Sequence, residues 1–183
     1  MNTKIRLLLT LDGFRIAAFG LLGPIYAIFV EKIGGDILDA GIAFSIYSMS
    51  MGILTYFIGK LGDRLKKPVN LLIFGHSIMA IVFFSYLLIR NPLQLMIVQL
   101  ILGIGAAISD PIYDTIFSIN LDTKKRYAEW ADWESMNFII LGITAVIGAG
   151  IAKYLGFQVL FIAMGTSSLV SVVFALIFKS KKS

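Results

Sequence analysis

Four ionisable side chains lie inside long apolar stretches of this sequence: Asp12, Arg15, Asp110 and Asp114. Such residues are costly at membrane depth and are functional candidates by default. A carboxylate there can take up and release a proton, because desolvation favours its neutral form whereas a nearby arginine favours its charged form. The opening and closing of a water-filled cavity would change that balance. The four residues therefore indicate a proton- or substrate-responsive acidic cluster with Arg15 as its counter-ion.

The spacing of these residues leaves more than one interpretation open. Asp12 and Arg15 share a helical face and can pair, either as a coupling group or as a static ion pair that only neutralises charge between helices. Asp110 has no cation in its own stretch, which favours a functional role. Asp114 lies nearer the end of that stretch and can be an ordinary interfacial residue. Further substrate or coupling candidates on the same two stretches are Gln99, Tyr26 and Tyr113.

The composition predicts an all-α membrane protein. The chain has 183 residues, of which 58% are hydrophobic and only 15% charged, and its mean hydropathy is +0.87. A helix needs roughly 20 mostly apolar residues to cross the hydrocarbon. We therefore predict a single six-helix transmembrane domain over residues 1–183, with spans at residues 7–30, 38–59, 69–89, 93–119, 135–156 and 158–178.

Lysine and arginine are distributed unequally between the predicted loops. Of the 16, twelve fall on the side of the two termini, three fall on the other side, and Arg15 lies within a span. Because cytoplasmic loops carry the excess of these residues, both termini are predicted to be cytoplasmic. The loop at 120–134 also contains Trp130 and Trp133. Their rings suit headgroup depth and predict a short interfacial helix before the fifth span.

The sequence gives little support to an enzyme. It has no cysteine, hence no disulfide or thiolate metal site, and it lacks the hydrolase, metalloprotease and phosphate-loop motifs. The fragments around Asp12 and Asp110 resemble parts of the carboxylate motif of six-span, metal-dependent CDP-alcohol phosphotransferases. In that family the carboxylates occur in one contiguous segment, whereas here the fragments are far apart. An intramembrane phosphotransferase is therefore the less favoured alternative, and we expect no cofactor, no metal and no nucleic-acid partner.

The loop between the second and third spans reads "GKLGDRLKKP", residues 59–68. It resembles the signature loop of the major facilitator superfamily, Gly-x-Leu-Ala-Asp-Arg/Lys-x-Gly-Arg/Lys-Arg/Lys, and lies at the same place between spans. Lys66 replaces the second glycine of that motif and Pro68 replaces its last basic residue. The matching residues are Gly59, Leu61, Asp63, Arg64 and Lys67.

The resemblance implies one half of a transporter of that superfamily, a half-size form with six helices in place of twelve. Two copies with the same orientation would restore the full architecture as a parallel homodimer, with alternating access and a substrate path on the dimer axis. A heterodimer of split halves, or a piece of a longer chain, is the alternative. In the superfamily the loop carboxylate, here Asp63, caps a helix of the opposite half. That helix would be the fifth span of the partner, expected to begin near Glu134–Asn137. Spans 3 and 6 are peripheral in that fold.

The function implied is secondary, and in one interpretation proton-coupled, transport of a small solute across a cytoplasmic membrane, in a prokaryote. A facilitative uniporter and a drug/proton efflux pump of the same fold are alternatives. Two departures weaken the efflux interpretation: Gln99 replaces the arginine of the fourth-helix motif, and the fifth span lacks the glycine–proline pair of antiporters. The sequence does not identify the substrate.

Overall fold

The computed structural model describes residues 3–62 and 68–181. Within that part of the chain, the six segments Thr3–Lys32, Ile37–Lys60, Pro68–Leu88, Pro92–Asn120, Arg126–Tyr154 and Phe157–Ser180 are long and apolar enough to cross a membrane. The predicted all-α, six-span fold is confirmed. The helices are α1 Thr3–Leu22, α2 Tyr26–Lys32, α3 Ile37–Gly62, α4 Pro68–Ser85, α5 Pro92–Asn120, α6 Arg126–Tyr154 and α7 Phe157–Ser180.

Local sequence explains where the helices begin and end. Pro24 lies in a 3₁₀ turn, Gly23–Ile25, that separates α1 from α2 within the first crossing segment, since proline removes a backbone donor. Pro92 is the first residue of α5, and the side chain of Asn91 caps this helix by accepting from the Gln94 N–H at 3.0 Å. Gly156 has a φ of 88° and joins α6 to α7 in one tight turn.

The packing of the helices repeats itself once. α1 packs against α6 and α7, α5 packs against α3 and α4, and α4 packs against α7. Exchanging the first three spanning segments for the last three reproduces the same set of contacts, which is the pattern of two three-helix repeats. The first and fourth segments, which carry the charged residues, therefore occupy equivalent positions on the two sides of the bundle.

Small residues bring the helices close together. At Gly148 of α6, an added Cβ would overlap the backbone of Leu21 in α1. In α4, a Cβ at Gly75 would lie 2.7 Å from the carbonyl oxygen of Gly105 in α5. In a membrane, where the hydrophobic effect between helices is weak, such backbone approach supplies packing contacts. These glycines determine the points along the helices at which α1 contacts α6 and α4 contacts α5.

Two helices are much less covered than the others. Only 6% of the most apolar stretch of α3 and 11% of that of α6 is buried, against 39–50% for the other four segments. Spans 3 and 6, which were expected to be peripheral, correspond to α4 and α7. Within this bundle α4 and α7 are more buried than α3 and α6. That expectation concerns a transporter of two halves, and the contacts of α4 and α7 with each other and with α5 and α1 in a single bundle do not test it.

Candidate functional site

Three charged side chains from α1 and α5 form an ion-paired cluster. The Arg15 Nε lies 2.7 Å from Asp12 Oδ1, and the Arg15 Nη1 lies 3.5 Å from Asp110 Oδ2. The Asp12 side chain is fully buried, whereas those of Arg15 and Asp110 are 14% and 22% exposed. The structure thus brings together three residues that the sequence singles out. It also supplies Asp110 with the cation that its own helix lacks.

Neighbouring side chains complete the hydrogen bonds of the two carboxylates. Trp133 of α6 donates its indole N–H to Asp12 Oδ2 at 2.7 Å, so this buried carboxylate accepts from Arg15 on one oxygen and from Trp133 on the other. Ser109 donates to Asp110 Oδ1 at 3.0 Å. Charge-assisted hydrogen bonds of this kind are the stronger ones. The cluster therefore ties α1, α5 and α6 together.

The charge of the cluster is unbalanced. Two carboxylates face one guanidinium. One turn further along α5, Asp114 adds an exposed carboxylate, which makes no hydrogen bond or ion pair with the described residues. Within the described helices, this end of the bundle is thus an acidic region with a single internal cation. Such a region can attract a cation or bind a proton.

Tyr113 belongs to the packed interior and not to a cavity. It is 2% exposed, its hydroxyl donates to the Leu8 carbonyl oxygen at 3.3 Å, and its ring stacks on Phe117. Phe117 in turn contacts Trp130 and Trp133. This aromatic cluster packs against Trp133 and holds its indole towards Asp12.

Gln99 and Tyr26 form a second polar pair, with the α5 amide donating from Nε2 to the tyrosine hydroxyl at 2.8 Å. Both residues line a cavity of about 170 Å³, to whose wall the first, second, third, fourth and sixth spanning segments contribute. Aromatic rings, including those of Phe19, Phe44 and Phe83, form most of its wall. The seven predicted site residues therefore separate into a charged cluster, an uncharged cavity and a buried tyrosine.

The loop motif lies mostly outside the described residues. This holds for Asp63, Arg64 and Lys67, and for the side chain of Leu61, while Gly59 is an exposed residue near the end of α3. The expected target of Asp63 needs a correction. Helix α6 begins at Arg126, so Glu134–Asn137 lie inside the helix, where backbone N–H groups are already bonded. The predicted interfacial segment is thus the first part of one continuous helix.

Sequence reasoning missed Trp133 and Ser109 as partners of the carboxylates. Trp133 lies 121 residues from Asp12 along the chain. At a membrane boundary, a tryptophan normally indicates an interfacial anchor. Ser109 precedes Asp110 directly, and a serine beside a buried aspartate could have been identified as a hydrogen-bond donor.

Comparison with known proteins identifies the family. The model of the Major Facilitator Superfamily matches residues 10–183, which is nearly all of the chain. The chain belongs to the major facilitator superfamily. This superfamily consists of membrane transporters and not of enzymes, so the predicted class is confirmed, and with it an integral, multi-pass membrane protein.

Relatives within the superfamily include longer proteins and one of similar length. The chain is 25% identical over 162 residues to the multidrug resistance protein MdtG of Erwinia billingiae, covering 86% of this chain and 39% of that protein. For the MdtG of Escherichia coli K12 the identity is 24%, and the alignment covers 86% of this chain and 40% of the relative. The chain thus spans about two fifths of these relatives. The MFS-type transporter YitZ of Bacillus subtilis is 22% identical over 146 residues, which is 80% of this chain and 88% of YitZ.

Proposed function

We propose that this protein is a secondary transporter of a small solute that works as a parallel homodimer by alternating access. Two six-helix bundles would enclose the path, each contributing its charged cluster and its Gln99 cavity. The single observation that carries the dimer is the uncovered state of α3 and α6, since 6% and 11% burial leaves most of the apolar surface of these two helices exposed. A second copy would cover that surface.

Small residues on these two helices suit close helix packing. A Cβ added at any of five glycines would meet nothing within 4 Å: Gly41, Gly52, Gly59, Gly142 and Gly150. Small residues at exposed positions of membrane helices allow a further helix to approach. Within a dimer, α3 of one copy would pack against α6 of the other.

The dimer is tested by crosslinking, for which the chain offers a clean background because it contains no cysteine. Gly52 and Gly142 lie at comparable depth, because α3 and α6 run in opposite directions. We expect a Gly52→Cys/Gly142→Cys variant to form a disulfide dimer in native membranes. Ile81→Cys, on the exposed face of α4, is the matched control and should stay monomeric. A monomer that transports at the rate of the wild type would reject the dimer, and a heterodimer would appear as a crosslinked species of different mass.

Both copies are proposed to keep their termini in the cytoplasm of a bacterial cell. The unequal distribution of lysine and arginine supports this orientation, and the relatives named above are bacterial. The loop carboxylate Asp63 remains a proposed latch on the partner copy. Its revised target is the start of α6, where Lys125 and Arg126 add positive charge to the free N–H groups.

Proton coupling is proposed to run through Asp110. This carboxylate is partly exposed and contacts Arg15 only at 3.5 Å, whereas Asp12 is enclosed and bonded at 2.7 Å on both oxygens. Of the two ion-paired carboxylates, Asp110 is therefore the one that water can reach. In proteoliposomes, Asp110→Asn should abolish solute accumulation driven by a pH gradient, while Asp132→Asn, an exposed carboxylate on α6, should not. Unchanged pH dependence in Asp110→Asn would end the coupling hypothesis.

A second candidate function is drug efflux coupled to protons, and the relatives named multidrug resistance protein favour a drug as the solute. A facilitative uniporter is the third. Proteoliposomes separate the three: a coupled importer accumulates solute along an inward proton gradient, an efflux pump expels it, and a uniporter only equilibrates it.

A further inference from the structure

The cavity around Gln99 is distinct from the charged cluster in its chemistry. Its wall includes the side chains of Phe19, Phe44 and Phe83, which have no hydrogen-bonding group, and that of Tyr47, whose only such group is a hydroxyl. Gln99 and Tyr26 supply the polar part, and no charged side chain is among its lining residues. The volume of about 170 Å³ is comparable to the cavities of about 150 Å³ that are known to take up benzene.

Gln99 has hydrogen-bonding capacity that the bundle does not use. The residue is 5% exposed, its Nε2 donates to the Tyr26 hydroxyl, and its Oε1 has no partner among the described residues. A buried acceptor left without a hydrogen bond is destabilising, because it loses its bonds to water. A bound molecule that donates an N–H to Oε1 would supply the missing hydrogen bond.

The absence of charge in the lining selects among such molecules. A buried cation without a counter-charge is strongly disfavoured, and the charged groups of the bundle belong to the separate cluster at Asp12, Arg15 and Asp110. Aromatic walls favour a flat aromatic body, which can stack or meet the rings edge to face. We propose that this cavity binds an uncharged aromatic solute with an N–H donor, held by Gln99 Oε1. This assignment rests on the proposed function, because it names the class of solute that the transporter carries.

Binding can be measured on the whole protein in lipid nanodiscs, by equilibrium dialysis with three probes. Indole is uncharged, aromatic and carries one N–H, 1-methylindole carries a methyl group in place of that donor, and tetraphenylphosphonium is an aromatic cation. We expect indole to bind roughly three- to tenfold more tightly than 1-methylindole, the size of one net hydrogen bond. In Gln99→Leu the two indoles should bind equally, whereas Gln158→Leu, an exposed glutamine outside the cavity, should retain the difference.

A second variant tests the location without changing Gln99. Gly23 lines the cavity, and a Cβ at that position would meet nothing within 4 Å. Gly23→Leu should therefore occupy the space and reduce indole binding at least tenfold, while Thr166→Leu, at an exposed position of α7, should not. Equal affinity of the wild type for both indoles, preference for the cation, or full indole binding by Gly23→Leu would each overturn the proposal. Indole binding by a protein that transports no solute in proteoliposomes would keep this site and reject the proposed function.

Discussion

Removal of the Asp12 carboxylate should destabilise the bundle far more than removal of Asp110. Asp12 is fully buried and accepts from both Arg15 and Trp133 at 2.7 Å. Breaking a buried ion pair by deleting one partner costs about 3–5 kcal/mol, because the remaining charge stays buried. Asp110 is 22% exposed and touches Arg15 at 3.5 Å. Its loss should cost about 1 kcal/mol or less, as for partly solvated pairs.

The free energy of unfolding can be followed by titrating micelles with sodium dodecyl sulfate. The two tryptophans of the chain, Trp130 and Trp133, both lie beside the cluster, so their fluorescence reports on it directly. We expect Asp12→Leu to lose about 3–5 kcal/mol and Asp110→Leu about 1 kcal/mol. Asp132→Leu, at an exposed position of α6, is the control for loss of a carboxylate alone and should be near wild type.

A double variant separates the buried charge from simple loss of packing. If the cost of Asp12→Leu comes from leaving the Arg15 charge without its buried partner, then adding Arg15→Met should restore about 2 kcal/mol, because the carboxylate that then remains, Asp110, is partly exposed. A double variant that is less stable than Asp12→Leu would refute this account. Equal losses for Asp12→Leu and Asp110→Leu would show that burial does not decide the strength of the pair.

Two further predictions concern contacts that the tertiary structure supplies. Trp133→Phe removes the indole N–H that donates to Asp12 and should lower the free energy of unfolding by about 2 kcal/mol. Trp130→Phe keeps that hydrogen bond and should cost less. Chemical denaturation of the two variants compares their stabilities. Gly148→Ala places a methyl group against the backbone of Leu21 and should lower the free energy of unfolding by about 1–3 kcal/mol. The methyl group of Gly142→Ala meets open space, so this variant should be neutral in the monomer. Equal thermal stability of the two variants would contradict the packing of α1 against α6.

Several parts of the site were accessible from sequence and others were not. The pairing of Asp12 with Arg15 follows from their spacing on one helix, and the structure shows it. The contact of Arg15 with Asp110 joins positions 95 residues apart, which helical periodicity does not address. Trp133 illustrates the same limit, because an aromatic residue at the membrane boundary has the same local pattern whether it faces lipid or donates inward to Asp12.

The sequence by itself determined the six spans and the family, because each crossing needs its own continuous apolar segment and the loop motif is read from consecutive residues. It also determined which residues carry charge into the membrane. Only the tertiary structure decided which of those charges meet, that Gln99 faces an uncharged aromatic cavity, and that most of the apolar surface of α3 and α6 is left uncovered. The physical reason is that helix formation in lipid is satisfied within each segment, whereas contacts between segments depend on how small residues let particular helix faces approach.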